Sequence, residues 1–278
     1  MILPLNPKAL EHIDDINPTL VSALNKDKNG KIYSFPYMWG TTGIGYNARM
    51  LHDLGVDTDH ISWKLFFDPA VLAKTSECGI GVINDRDEII GAALIYDGQS
   101  LNSADAANLK LAGQTLVTSV PKFKYLHSMQ YVDDLNENKI CLTVGYSGDI
   151  LSLTEDNPDI HCAIPDEGTN VWVDTMVIPA NSHNAAIAHK FINFLSEAEV
   201  AGRNSNYNAY PTPMLSAGKY VDPELLDDPD IYPDNQMLAH LEALSTIDSG
   251  SRRIRQRIWV RAICAGRSWC MSPMETDF

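Results

Sequence analysis

Carboxylates and aromatic side chains recur where predicted strands of this sequence end. Asp85 and Glu88 follow the strand-like run "CGIGVIN", and Tyr146 and Asp149 follow "KICLTVG". In sheets built from alternating strands and helices, ligands bind beyond the carboxyl ends of the strands. These four side chains are therefore candidates for contact with a ligand, although an aspartate after a strand more often serves as a turn or cap residue.

A second group of candidates lies further along the chain. Trp172 and Asp174 are two residues apart in "VWVDTM", so their side chains leave the same face of a strand, and Tyr210 follows in "NYNAYPTP". Aromatic faces attract ammonium groups by ~0.5–2 kcal/mol each. A hydrogen bond to a carboxylate adds ~1.5–3 kcal/mol. Acids interleaved with aromatics therefore predict a site for an organic cation.

The elements that must position these residues alternate between strand and helix. Apolar runs in "KIYSFPYMW", "CGIGVIND", "KICLTVGYSGD" and "VWVDTMVIPAN" predict strands. Helical spacing predicts helices over Asn184–Glu199, capped by Asn181 or Ser182, and over "DEIIGAALIYDG". The alternation predicts an α/β protein with largely parallel sheets.

The run "YSFPYMWGTTGIGYN" places three glycines within six residues. Gly40, Gly43 and Gly45 form G-x-x-G-x-G, which fits neither the dinucleotide fingerprint nor the phosphate loop. Glycines in a strand more often mark a bend or a close backbone approach. The run is therefore interpreted as a structural strand.

Catalytic and metal motifs are weak in this sequence. "GYSGD" resembles a nucleophile elbow around Ser147, but Asp149 stands where that motif requires glycine. An α/β hydrolase using Ser147 stays an alternative. No CxxC pair and no pair of histidines at helical i, i+4 spacing is present. The prediction is a protein that is not an enzyme, with no metal and no cofactor.

The bulk composition narrows the class of partner. The chain has 278 residues, 45% of them hydrophobic, and a net charge of −15. Such an acidic surface argues against binding nucleic acid. The sequence has no apolar stretch of the ~20 residues that a membrane helix needs, and its start shows no export signal.

At the candidate residues the chain resembles the polyamine-binding periplasmic proteins of ABC importers, of the putrescine- and spermidine-binding type. The resemblance covers most of the chain. It is carried, in the family's order, by "PYMWGTTGIGYN", "SWKLFFDP", "CGIGVINDRDEII", "YVDDLNENKICLTVGYSGD", "VWVDTMVIPANSHN", "NYNAYPTP" and "IYPD".

The resemblance implies a two-lobed periplasmic binding protein fold of type II, whose lobes close on ligand by hinge motion. Lobe one would hold 1–45 and 175–267, with a C-terminal portion that returns to lobe two. Lobe two would hold 46–174, and residues 268–278 form a tail that the resemblance does not place. The glycine run would be a hinge element between the lobes.

The resemblance also implies which carboxylates bind the ligand in the cleft between the lobes. Glu88 matches the acid that binds one end of a polyamine, Asp149 a second acid, and Asp174 the acid that pairs with an amine. Asp85 stands where spermidine-type members tend to carry an acid, which favours a longer polyamine.

The implied aromatic contacts are three. Trp172 matches the ring that packs on the methylene chain, and Tyr210 matches a tyrosine that lines the site. Tyr146 stands where the family usually has tryptophan, a change that keeps an aromatic face but weakens it. The loaded protein, expected to be a periplasmic monomer, would dock on a permease at the inner membrane.

Cys78 and Cys141 match a bonded pair of putrescine-type members, and two buried free thiols are the alternative. Residue 1 corresponds to a position well inside the family sequence, so we expect an N-terminally truncated chain with an incomplete lobe one and weakened binding. A related binding protein with another ligand and a degenerate remnant that binds nothing also stay open.

Overall fold

The chain divides into two compact units in a computed structural model that describes residues 1–154 and 156–265. Unit 1 comprises Met1–Gly40 and Trp172–Asp234. Unit 2 comprises Thr41–Val171 and the segment that begins at Asn235. The tail expected at residues 268–278 lies outside the described residues.

The regular elements alternate along the chain as strands and mostly short helices. The strands are β1 Phe35–Asn47, β2 Ile80–Val82, β3 Tyr125–Leu126, β4 Leu142–Tyr146, β5 Ile160–Ala163 and β6 Val171–Met176. The α-helices are α1 Ala48–Asp53, α2 Lys64–Phe67, α3 Pro69–Cys78, α4 Arg86–Tyr96, α5 Ala106–Ser119, α6 Gln130–Asn136, α7 Ser147–Leu151, α8 Ala185–Ser196, α9 Ala198–Asn208, α10 Pro223–Leu226, α11 Asn235–Leu238 and α12 Ser249–Cys264. Turns of 3₁₀-helix cover Pro7–Ala9, Ile13–Asp15, Pro18–Leu24, Val120–Lys122 and Leu215–Tyr220.

The strands of the described residues form one sheet in the order β3-β2-β4-β1-β5, and β6 also pairs with β1. β2 runs parallel to β3 and β4. β1 runs antiparallel to β4 and β5, with Gly43 opposite Gly145. The predicted α/β class is confirmed, but the sheet is mixed rather than largely parallel. Strand direction was not readable because β1 and its partners lie far apart in the sequence.

Strand β1 carries the glycine run. The run is interpreted from the sequence as a strand, and β1 indeed continues without interruption through Gly40, Gly43 and Gly45 to Asn47. None of these glycines has a positive φ. The run is therefore extended backbone and not a loop that could wrap a phosphate. The boundary between the two units falls inside this strand, after Gly40.

Helix α8 differs from its prediction at both the cap and the buried face. The N-cap is Asn184, rather than Asn181 or Ser182, and Ser182 Oγ accepts from the Asn184 N–H at 3.2 Å. Ile192 is buried, but Phe191, predicted on the same apolar face, is 58% exposed. Helical spacing identifies an apolar face, but it does not reveal what packs on that face.

A disulfide joins Cys78 at the end of α3 to Cys141, the residue before β4, and this confirms the implied pairing. The two Cα atoms are 5.5 Å apart, and the two cysteines are 63 positions apart along the chain. Closing a loop of that length in the unfolded chain stabilises the folded state by about 4 kcal/mol. The bond therefore fixes α3 against the sheet of unit 2.

The described residues contain neither a membrane-spanning helix nor a metal-binding cluster. Their helices are all too short or too polar to cross a membrane. The same residues contain no cluster of three or more His, Cys, Asp or Glu side chains arranged to hold a metal ion.

Candidate functional site

Two candidate carboxylates of unit 2 each lie in the first turn of a helix that follows a strand. Helix α4 follows β2 and helix α7 follows β4, and β2 and β4 are parallel neighbours. Glu88 lies in the first turn of α4, and Asp149 lies in the first turn of α7. Neighbouring parallel strands end at the same edge of a sheet, which is where such folds bind ligands.

Glu88 is buried and bonded to a neutral partner. Only 8% of the residue is exposed, and Asn170 Nδ2 donates to Glu88 Oε1 at 2.6 Å. Asn170 is held in turn, because its own Oδ1 accepts from the Leu244 N–H at 3.1 Å. The amide of Asn170 therefore fixes the orientation of the carboxyl group without contributing a charge.

Burial changes the acidity of this group. Desolvation is the largest cause that raises the pKa of Glu88 from 4.5 to about 7, and the charges of Asp85 and Asp87 raise it further. The side chains of Thr42 and Asn170 oppose this rise in the pKa. Within the described residues, neither Thr42 Oγ1 nor Glu88 Oε2 makes a well-formed hydrogen bond.

The arginines near this turn face a different acid. Arg86 Nη2 donates to Asp87 Oδ2 at 2.5 Å, and Arg255 Nη1 lies 3.7 Å from Asp87 Oδ1. Arg255 is almost fully buried, and its Nη2 donates to the Leu101 carbonyl at 2.6 Å. Within the described residues Glu88 forms no ion pair, so the cations of this region leave its charge uncompensated.

Asp85 is the N-cap of α4. Its Oδ1 accepts from the backbone N–H groups of Asp87 at 2.9 Å and Glu88 at 3.2 Å. An N-cap of this kind satisfies backbone donors that have no partner within the helix. The contacts that the structure gives Asp85 are those of a cap, and its expected role toward a longer polyamine stays a prediction.

Asp149 is held by a tyrosine. Tyr131 of α6 is fully buried, and its hydroxyl donates to Asp149 Oδ2 at 2.7 Å. The same hydroxyl accepts from the N–H of Tyr146 at 3.3 Å, at the junction of β4 and α7. One phenol therefore connects two predicted site residues, Tyr146 and Asp149.

Gly145 makes room for that phenol. A Cβ atom built at Gly145 would lie 2.4 Å from Cε2 and 2.8 Å from Cζ of Tyr131. No other residue type fits there without moving the ring, since non-bonded carbon atoms normally approach to about 3.5–4.0 Å. Gly145, the first glycine of "GYSGD", thus allows Tyr131 to pack against β4.

In unit 1 the predicted aromatic residues meet. Trp172 and Tyr210 pack edge to face, with ring centroids 5.2 Å apart and planes at 68°. A Cβ atom at Gly40 would lie 2.8 Å from Cζ2 of Trp172 and 3.1 Å from Cδ1 of Tyr210. The first glycine of the run therefore allows both rings to lie directly against β1.

Asp174 shares strand β6 with Trp172. The two residues are two apart in an extended strand, as predicted, so they leave the same face. The residue is exposed, yet the surrounding protein desolvates its carboxyl enough to raise its pKa. Within the described residues Asp174 forms no ion pair.

Ser147 lies at the start of α7 and is buried. Its Oγ accepts from the Thr41 N–H at 3.4 Å, which is a structural contact to β1.

Sequence reasoning missed Asn170 and Tyr131, the residues that hold Glu88 and Asp149. Asn170 is 82 positions from Glu88, and Tyr131 is 18 positions from Asp149. Neither lies at a motif spacing from its partner. One available signal was a polar Asn170 beside the apolar run of β6.

The chain belongs to the family of bacterial extracellular solute-binding proteins, whose model matches residues 1–233. It is 29% identical over 266 residues to the putrescine-binding periplasmic protein of Escherichia coli K12, covering 93% of this chain and 72% of that protein. It is 32% identical to the putrescine/cadaverine-binding protein of Pseudomonas aeruginosa, covering 85% of this chain and 68% of the relative.

Solved structures of related binding proteins share the fold of this chain. The spermidine/putrescine ABC transporter substrate-binding protein of Streptococcus pneumoniae matches with a TM-score of 0.81 at 28% identity, covering 94% of this chain and 77% of that chain. The predicted type II periplasmic binding protein fold is thereby confirmed. The relatives are solute-binding proteins, not enzymes, which argues against Ser147 as a nucleophile.

Proposed function

We propose that this chain is the solute-binding component of a polyamine ABC importer, and that it binds putrescine or spermidine through carboxylates and aromatic rings. A protonated polyamine is an apolar methylene chain with a positive charge at each end. Its recognition requires anionic groups that are not already neutralised and flat apolar surfaces between them. The named relatives bind polyamines, and this chain offers both kinds of group.

The observation that carries the proposal is the environment of Glu88. A buried carboxylate without a nearby cation is unfavourable in an empty protein and gains strongly from a cationic ligand. The two arginines of the region bind Asp87 instead, while Glu88 is held by the neutral amide of Asn170. This arrangement suits an ammonium group, because the carboxyl is oriented but not neutralised.

Unit 1 supplies the complementary groups in this proposal. Trp172 and Tyr210 form an aromatic corner on β1, with Asp174 on the same strand face as Trp172. A bound polyamine would pack its methylene groups on the two rings and place an amine at Asp174. Asp149 and Tyr146 of unit 2, with Asp85, complete the proposed set.

The other parts of the proposal follow from the family. We expect the protein to work in the periplasm, as a monomer, and to deliver its ligand to a permease at the inner membrane. Light scattering during size-exclusion chromatography tests the monomer, and a mass twice that of the 30.8-kDa chain contradicts it.

The test is a thermal-shift titration with putrescine, cadaverine and spermidine. A ligand at 100 times its dissociation constant adds about 2.7 kcal/mol to the stability, which raises the melting temperature by roughly 5–10 °C for a chain of this size. Asp174→Ala should abolish the shift. Asp14→Ala, an exposed acid of unit 1 outside the proposed set, is the matched control and should keep it.

The outcomes separate the alternatives. A shift that depends on Asp174 supports the proposal, and the ranking of the three amines identifies the ligand. A cooperative melt without any shift contradicts polyamine binding by this chain and favours a remnant that retains the fold without the activity.

A further inference from the structure

We infer that Tyr131 is a positioning residue for polyamine binding, acting through the carboxylate of Asp149; this rests on the proposed function. Tyr131 is not among the side chains proposed to touch ligand. It is fully buried in helix α6.

The hydroxyl of Tyr131 contacts two groups at the junction of β4 and α7. It donates to Asp149 Oδ2 at 2.7 Å and accepts from the Tyr146 N–H at 3.3 Å. A hydroxyl provides one donor, so the donor is used on the carboxylate. The bond to the backbone amide fixes the hydroxyl itself, and the carboxylate therefore points in a defined direction before any ligand arrives.

The ring is fixed as firmly as the hydroxyl. Gly145 gives the phenol its position against β4, since a Cβ atom there would collide with ring carbons. Asp149 lies in a helix of only five residues, Ser147–Leu151, which by itself provides little rigidity. A rigid ring anchored on the sheet supplies what the short helix lacks.

A positioned carboxylate lowers the cost of ordering the site when ligand binds. A charge-assisted hydrogen bond of this kind, together with the rotamer that it fixes, corresponds to roughly a tenfold change in affinity. The main effect of the hydroxyl on affinity runs through the Asp149 carboxylate, so this effect should be largely lost once the carboxylate is gone.

The test is a double-mutant cycle on the full chain, with calorimetric titration of putrescine and spermidine. Tyr131→Phe keeps the ring and should weaken binding roughly tenfold. Asp149→Ala, which removes the acceptor, should weaken it further, and adding Tyr131→Phe to Asp149→Ala should cause little additional loss. Tyr125→Phe, which alters a partly buried tyrosine of β3 in the same unit, is the matched control and should bind normally.

A second readout does not need ligand. The backbone amide of Tyr146 should exchange its hydrogen faster in Tyr131→Phe, because its acceptor is gone, and remain protected in Tyr125→Phe. Additive losses in the cycle, or unchanged affinity together with unchanged exchange at Tyr146, overturn the inference. A wild-type chain that binds neither amine overturns the proposed function and this inference with it, whereas a wild type that binds with an additive cycle overturns this inference alone.

Discussion

The first turns of α4 and α7 occupy equivalent positions after parallel neighbouring strands, yet they hold their carboxylates differently. Glu88 is 8% exposed and bonded to an amide, and its pKa is raised to about 7. Asp149 is less buried and accepts from the phenol of Tyr131. Topology therefore decides where each acid lies, burial decides how readily Glu88 carries charge, and the two carboxylates differ in the residue that donates a hydrogen bond to them.

The largest expected effect is a pH dependence that arises at α4. Between pH 4.5 and about 7 the folded protein retains a proton on Glu88 that the unfolded chain has released. The stability contributed by the protonated group is therefore fully present below pH 4.5 and is lost as the pH rises through 7. The loss amounts to about 3 kcal/mol.

Glu88→Gln mimics the protonated form and should remove this decline in the ligand-free protein. Urea denaturation at pH 4.5 and pH 8 measures the effect. The variant should match the wild type at pH 4.5 and exceed its stability at pH 8. Glu137→Gln, an exposed acid paired with Lys139, should follow the wild-type pH profile. If the unfolding free energies of the wild type and Glu88→Gln changed equally between pH 4.5 and pH 8, Glu88 would not have a raised pKa, and the described difference between the first turns of α4 and α7 would be wrong.

A smaller effect is expected from packing at α7. Gly145→Ala places a methyl group 2.4 Å from the Tyr131 ring and should cost about 2 kcal/mol of unfolding free energy. Gly218→Ala is the control, because nothing lies within 4 Å of the added Cβ. A Gly145→Ala variant that is as stable as Gly218→Ala would mean that the Tyr131 ring has room to move and does not fix Asp149.

The smallest expected effect concerns the cap of α4. Asp85→Ala should lower the stability by about 1 kcal/mol, whereas Asp85→Asn keeps the capping oxygen and should stay within about 0.5 kcal/mol of the wild type. Asp105→Ala removes an equivalent cap from α5, with bonds of 2.8 and 3.0 Å, and should cost a similar amount.

The asparagine variant also separates the two roles assigned to Asp85. If Asp85→Asn leaves the calorimetric ranking of putrescine and spermidine unchanged, the residue acts as a cap only. A selective loss of spermidine affinity would instead assign its charge to the ligand.

Local patterns predicted much of this arrangement. The helix after β2, the acids in its first turn and the shared face of Trp172 and Asp174 follow from spacing of a few residues. The disulfide between Cys78 and Cys141 was predicted from resemblance, since spacing alone left the pairing open.

What could not be predicted depends on distant contacts. The antiparallel direction of β1, the exposed Phe191 on α8 and the donors Asn170 and Tyr131 are set by residues that meet only in the folded chain. Asp85 shows a different limit of sequence reasoning. It lies three residues before Glu88, a position that suits both a ligand-binding acid in the family and the N-cap of helix α4.

The Cys78–Cys141 bond has a practical consequence for anyone preparing this protein. A thiol reductant that cleaves this bond would open a 63-residue loop in unit 2 and remove about 4 kcal/mol of stabilisation, more than any single substitution proposed above. Two laboratories using the same sequence, one with reductant and one without, would thus compare different molecules. Melting curves and affinities for this chain are comparable only when the oxidation state of the sample has been measured, for example by mass spectrometry after thiol alkylation.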